Sequence, residues 1–278
     1  MRKAMLAVLL LPLTAAGADR TEELLGAARA ALGGEAVQKV QGLRLSGELS
    51  RSAGEGDVSG GEIEIDLLRD GRYRKVETVS PVPGVPAISI GAGFDGQEGW
   101  VGPLGGPSAG PVVVRMGDAG APDAAERLRK RMASEAARLA AALLLESPAG
   151  CPLEYHAAGA AEAADGKADV LDVKGACGLE ARLFLDAASH RPLMIEYTGS
   201  LPRMMARRGP QPEGPHTPPP PPPPQQLRLH LDEYRDVKGV QLPHRLSLEA
   251  DGKTFEEWTV KKWALDPKTG DDHFRKPR

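Results

Sequence analysis

The stretch Glu62-Ile63-Glu64-Ile65-Asp66-Leu67-Leu68 alternates acidic and apolar side chains, the period-two pattern of a half-buried strand. It runs into Arg69-Asp70-Gly71, where Asp-Gly is a hairpin-turn pair. A second alternating run follows, with Tyr73, Lys75, Glu77 and Val79 on one side and Arg72, Arg74, Val76 and Thr78 on the other. Both faces of that strand are partly wet. Upstream, residues 40–50 carry Leu43, Leu45, Gly47 and Leu49 on one parity, another half-buried strand. Three antiparallel strands in sequence therefore set the character of the first half of the chain.

Working outward, residues 22–32 hold Leu24, Leu25, Ala28, Ala31 and Leu32 at helical spacing, and Gly33-Gly34 stops the helix. Residues 87–90 and 94–101 read as two short strands, followed by a Gly/Pro/Ser loop over 102–110. Residues 124–146 differ in kind: rich in Ala, Leu, Arg and Glu, they form the longest helix and end at Ser147-Pro148. The first half of that helix is charged, while residues 139–145 are apolar around the whole circumference and must be buried. Beyond Cys151 the strand pattern resumes at 168–174, 179–185, 193–197, 226–234, 240–249 and 254–263. Residues 209–224, with seven prolines in succession, read as a disordered, solvated Pro-rich loop or a docking site for a proline-reading partner.

Composition narrows the function. Hydrophobic residues at 41% suffice for a core, which excludes wholesale disorder. Lys+Arg at 35 against Asp+Glu at 38 gives a net charge of −3 and no overall pull toward nucleic acid. Aromatics at 4% leave few rings for base stacking. Met1-Arg2-Lys3, the apolar run to Leu13 and the small residues Ala16-Gly17-Ala18 read as a secretory signal peptide over 1–18, with cleavage before Asp19. That run is shorter than the ~20 residues a spanning helix needs, and no cysteine lies near the cleavage point to carry a lipid anchor. The expectation is one exported domain over 19–278. In an oxidising compartment, two thiols such as Cys151 and Cys177 pair more often than they stay free; two unrelated buried thiols are the alternative.

Catalytic motifs do not accumulate. Gly91-Ala92-Gly93-Phe94-Asp95-Gly96 matches a dinucleotide fingerprint in letters, but Gln97-Glu98-Gly99-Trp100 begins no helix, so the reading is a glycine-rich strand with an Asp95-Gly96 hairpin turn. The six histidines are scattered without metal-ligand spacing, although His230 and His244 fall on consecutive predicted strands. A G-x-S-x-G elbow is missing. The reading is a protein without enzymatic chemistry, cofactor or metal. Arg127, Arg129, Lys130 and Arg131 form a solvated basic face, or a patch for anionic head groups or an acidic partner.

Three segments resemble the LolA-like periplasmic lipoprotein-carrier family. Residues 67–74, following Gly47-Glu48-Leu49, are similar to its R-P-x-x-[FY]-[RN] strand end, although Asp70 stands where the family has Pro. Asp95-Gly96 to Trp100 is similar to its D-G-x-x-x-W hairpin, and Phe274 to Pro277 to its closing F-x-x-P element. The resemblance implies a mainly β protein with helices (α+β): a curved antiparallel unclosed β-barrel with a helical lid over an apolar cavity for acyl chains. It implies a soluble periplasmic carrier of lipid or acylated lipoprotein, serving outer-membrane lipoprotein sorting. On that reading Leu45, Ile63, Ile65 and Trp100 from the sheet, with Leu139, Leu143 and Leu144 from the helix, are expected in the lipid-binding wall, and Arg69 as the lid latch. The alternative is an envelope sensor of the same fold that reports to an inner- or outer-membrane partner protein.

Overall fold

The computed structural model describes residues 15–52, 58–80, 87–104, 112–113, 123–163, 166–201, 205–206 and 224–277. The chain begins with α1 (Ala15–Ala31) and α2 (Glu35–Lys39). A first run of strands follows: β1 (Gly42–Ser52), β2 (Val58–Leu68), β3 (Tyr73–Val79), β4 (Ile88–Phe94), β5 (Gly99–Pro103) and the short β6 (Val112–Val113). Helix α3 (Ala124–Leu144) separates them from β7 (Leu153–Ala163), β8 (Gly166–Gly175), β9 (Leu179–Asp186), β10 (Pro192–Gly199) and β11 (Met205–Ala206). The last strands are β12 (Gln225–Asp232), β13 (Arg235–Val237), β14 (Val240–Leu242), β15 (Arg245–Ala250) and β16 (Lys253–Leu265), before a 3-10 turn at Asp271–Phe274.

Twelve strands form one antiparallel sheet in the order β5-β4-β3-β2-β1-β16-β15-β12-β10-β9-β8-β7. The first and last long strands, β1 and β16, pair at its centre, while β5 and β7 stand at opposite edges and do not close on each other. This is the expected unclosed, mainly β architecture. Of the expected leader, residues 1–14 lie outside the described residues and Ala15–Ala18 form the start of α1. Most of the Pro-rich segment, 209–223, also lies outside them.

Register slips at Ser46/Gly47 in β1 and at Leu248/Glu249 in β15 are bulges that tighten sheet twist. At Gly47 a Cβ would stand 2.2 Å from the Thr259 carbonyl oxygen, so the close approach of β16 there requires glycine. The hairpin turns form where Asp-Gly was read: Arg72 N–H donates to Asp70 Oδ1 at 3.0 Å, and Gln97 and Glu98 N–H donate to Asp95 Oδ1 at 2.9 and 2.7 Å. The Gly91–Gly96 segment is thus strand and turn, with no helix after it. The short strands β6, β11 and β13 lie outside the expected segments, the expected strand over 94–101 is broken by the turn at 95–98, and that over 240–249 divides into β14 and β15. One long strand also escapes the sequence pattern. Leu153–Ala163 is rich in alanine, a weak strand former, yet it pairs along β8 as an edge strand because α1 packs on it and Ala157 N–H donates to Thr21 Oγ1 at 2.9 Å.

The core lies on the concave face. Leu43, Leu45 and Leu49 of β1, Ile65 and Leu67 of β2, and Trp258 and Trp263 of β16 are all buried there. Residues Leu139–Leu145 of α3 and its C-cap are buried all round, as their sequence requires. Leu145 turns left-handed to end the helix, and Arg29 of α1 donates to its carbonyl at 3.2 Å, which satisfies an orphan acceptor with a cation at the negative helix end.

Cys151 and Cys177 form a disulfide, Cα–Cα 5.1 Å, that ties the entry to β7 to the β8–β9 turn. Closing a loop of 26 residues stabilises the fold by about 3 kcal/mol. The Cys151→Ser, Cys177→Ser double variant is expected to lose about that much in urea titration, with free thiols absent from the unreduced wild type.

Candidate functional site

The axis of α3, about 30 Å long at 1.5 Å per residue, spans the open side of the sheet and contacts β2 to β5 on one side and β9 and β10 on the other. Along its C-terminal half the fit is tight. Leu139 and Leu143 meet Leu43, Leu45, Ile65, Leu67, Leu246, Trp258 and Trp263 around a void of only about 10 Å³. Earlier along the helix, α3 and the sheet part to enclose a cavity of about 380 Å³. Its apolar wall includes Ile90, Ala92, Met132, Leu229, Leu248 and Trp258, and its polar wall Arg51, Lys75, Glu77, Glu135, Arg138 and Glu256.

The polar wall follows from strand register. On β3 the inward parity places Tyr73, Lys75 and Glu77 beneath α3, and β1 ends its inward series at Arg51, directly opposite Glu256 of β16. Arg51 Nε donates to Glu256 Oε2 at 2.8 Å and its Nη2 to Glu77 Oε2 at 2.9 Å. Trp258 Nε1 donates to the other Glu256 oxygen. Lys75 Nζ stands 3.1 Å from Glu77 Oε1 and 3.4 Å from Glu135 Oε1, so it joins the sheet to the helix. Tyr73 OH donates to the same Glu135 oxygen at 2.8 Å.

Burial opposes charge on Arg51, Lys75, Glu77 and Glu135, yet their partners outweigh it. Lys75 is held well above the usual lysine range by Glu135 and Glu77. Despite burial, Lys75, Arg138 and Arg131 keep the Glu135 carboxyl down at about 2. Glu77 is lowered by Lys75 and Arg51 against the same penalty. Burial and Glu135 push the Tyr73 phenol upward, so it stays protonated as a donor. Arg138 stacks its guanidinium over the Tyr197 ring at 3.9 Å, and its buried Nε has no hydrogen-bond partner among the described residues.

The residues expected in an apolar wall are distributed differently. Leu45, Ile65, Leu139 and Leu143 come together, but around the 10 Å³ void; Ile63 and Leu144 are buried in the same core. Trp100 stands on the opposite, convex face, because Gly99 is the residue of β5 that meets α3. There its ring covers Gly93, where a Cβ would lie 2.6 Å from the indole, and its Nε1 donates to the Phe274 carbonyl at 2.7 Å. Arg69 leaves the β2–β3 turn to pair with Glu146, just beyond α3, at 2.7 Å, and it also donates to the Gln38 carbonyl of α2. Of the polar residues of the cavity, Lys75 and Glu77 carry a sequence signal in the two-faced wetness of residues 72–79, and Arg51, Glu135, Arg138 and Glu256 carry none.

The other candidates resolve locally. In the basic run, Arg127 pairs with Asp123, and Arg129 and Lys130 with Glu126, on an exposed face. His230 stands opposite Ser247 in the sheet, and His244 Nδ1 lies 3.1 Å from the Leu242 carbonyl, so the two do not form a pair. Glu64, Asp66 and His273 bring metal-ligating atoms within 4.8 Å of one another, but Arg44 and Arg74 already pair with the two carboxylates. Among the described residues no helix is long and apolar enough to cross a membrane.

No known family profile matches the chain, and neither does any curated protein. In fold it is similar to several solved structures. A LolA superfamily protein from Nitrosomonas europaea shares 12% identity over 90% of this chain and 97% of that one, TM-score 0.48. A DUF1329 family protein from Desulfovibrio piger shares 10% over 92% and 97%, TM-score 0.48. A domain described as an outer membrane lipoprotein-sorting protein, from Vibrio parahaemolyticus, shares 10% over 92% and 97%, TM-score 0.47.

Two outcomes follow from the ionic wall. Lys75→Met leaves Glu135 without its cation across the helix–sheet interface and is expected to lower stability by about 3–5 kcal/mol in denaturant unfolding. Because the folded Glu135 carboxyl is depressed to about 2 from an ordinary 4.5, its contribution is complete above that ordinary value and is lost as pH falls toward 2. A pH titration of stability should therefore fall less steeply across that window in Glu135→Gln than in the wild type.

Proposed function

We propose that the chain is a periplasmic carrier that binds an acyl chain of a lipid or lipoprotein, without covalent chemistry, in the cavity between α3 and the concave sheet. The observation that carries this reading is the cavity itself. At about 380 Å³ it lies at the lower end of the ~300–1,000 Å³ range of small-molecule sites, and one wall is apolar. The leader-like start, the disulfide and the resemblance of residues 67–74 and 95–100 to the carrier family support the location and the class of cargo.

Release requires α3 to lift. Its C-terminal end is tied to the β2–β3 turn by Arg69–Glu146 and its middle to β3 by Lys75–Glu135. Arg69 then acts as the latch, and Arg69→Ala should speed dissociation of bound lipid while the chain stays folded. The tight packing around Leu143 makes Leu143→Asp a folding defect rather than a binding one. A cavity-filling change is the cleaner test. Native mass spectrometry of the protein purified without detergent from an envelope extract should show a retained acylated molecule in the wild type. Ala92→Trp should lose it, with the unfolding midpoint moved by no more than a few degrees. A wild-type mass that stays bare after incubation with lipid and with lipoprotein would overturn the carrier reading and leave a sensor or interaction role.

A further inference from the structure

The charges lining the cavity are unequally engaged. Glu77 and Glu256 share Arg51, and Glu256 also accepts from Trp258. Glu135 is taken by Lys75 and the Tyr73 hydroxyl. Arg131 and Glu180 sit at the exposed rim, where water screens them. Arg138 differs from all of these. It lines the cavity, is half-buried, and is held in place by stacking on Tyr197. It makes no ion pair within 4 Å among the described residues, and its buried Nε donates to nothing there. Glu135, one helical turn earlier, attracts the Arg138 charge without forming an ion pair with it, its Oε1 being held by Lys75 and the Tyr73 hydroxyl.

A guanidinium fixed by an aromatic ring, with donors unspent and an apolar wall beyond it, fits a ligand that is anionic at one end and aliphatic along its length. We propose that Arg138 anchors the head group of an anionic single-chain amphiphile, one ending in a carboxylate or a phosphate, whose chain lies along Ala92, Met132, Leu229 and Trp258. The inference rests on the carrier reading and narrows its cargo: a neutral head leaves the guanidinium partly desolvated and unpaired, whereas an anion completes it.

Calorimetric titration of the full chain with dodecanoate, dodecyl phosphate and dodecan-1-ol tests it, since the three share a tail and differ in the head. The wild type is expected to bind one or both anions at least about ten-fold more tightly than the alcohol, the return on one charge-assisted hydrogen bond. Preference for the carboxylate alone assigns a fatty acid, and for both a general anionic head. Arg138→Gln should bring the three within about two-fold of one another with dodecan-1-ol unaffected, and Arg138→Lys should keep the anion preference. Equal affinities in the wild type, or a preference that survives Arg138→Gln, overturn the anchor and leave the carrier intact. Failure of all three to bind overturns both.

Discussion

A sheet whose first and last long strands pair at its centre has its two edges joined by whatever lies in the middle of the sequence. Here that segment is α3, which leaves the β5 side and returns at β7, the opposite edge. The curved sheet is apolar on its concave face and does not close on itself, so that face needs a cover and the two edges need a connection. One helix serves for both. Leu139 and Leu143 packed on Leu45, Ile65, Trp258 and Trp263 are the contact on which the remaining features depend. Without it the two meanders are joined within the twelve-stranded sheet by the β1–β16 ladder alone.

The ionic cluster under α3 is no simple source of stability, since burying charges roughly cancels the attraction they gain. What it does is fix geometry. Lys75 and Tyr73 converge on one oxygen of Glu135, so the helix can sit over β3 in one rotational setting, with Arg138 one turn further along facing Tyr197. The same helix is therefore positioned by charge in its middle and by hydrophobic packing at its end. Arg69 with Glu146 marks where that packed end meets the turn of the first hairpin.

Much of the fold is legible in the sequence because its signals are local. Alternation from 62 to 79, the Asp-Gly turns and the over-apolar 139–145 segment each encode their own structure. The alanine-rich β7 does not, since its pairing is imposed by β8 and α1 rather than by its own side chains. The site is less legible. Trp100 reads as an apolar candidate in any strand, but which face it takes is decided by whether Gly99 or Trp100 meets α3, a matter of register. Likewise Lys75 and Glu77 look like solvent-facing residues until Arg51, on another strand, and Glu135, on the helix, are brought to them.

The position of the cavity has a physical cause. Where α3 offers Leu139 and Leu143 and the sheet offers leucines and tryptophans, side-chain volume fills the gap to about 10 Å³. Where the sheet offers Ala92 and Gly199, the gap widens to about 380 Å³. Among the large side chains that line that region are Arg51, Lys75, Glu77, Glu135 and Arg138, whose charged ends are fixed by one another and by Tyr197 and cannot collapse into the space as leucines would. The void is therefore maintained by the same residues that make one wall polar. A cavity built this way is amphipathic by construction, and its cargo must match both walls.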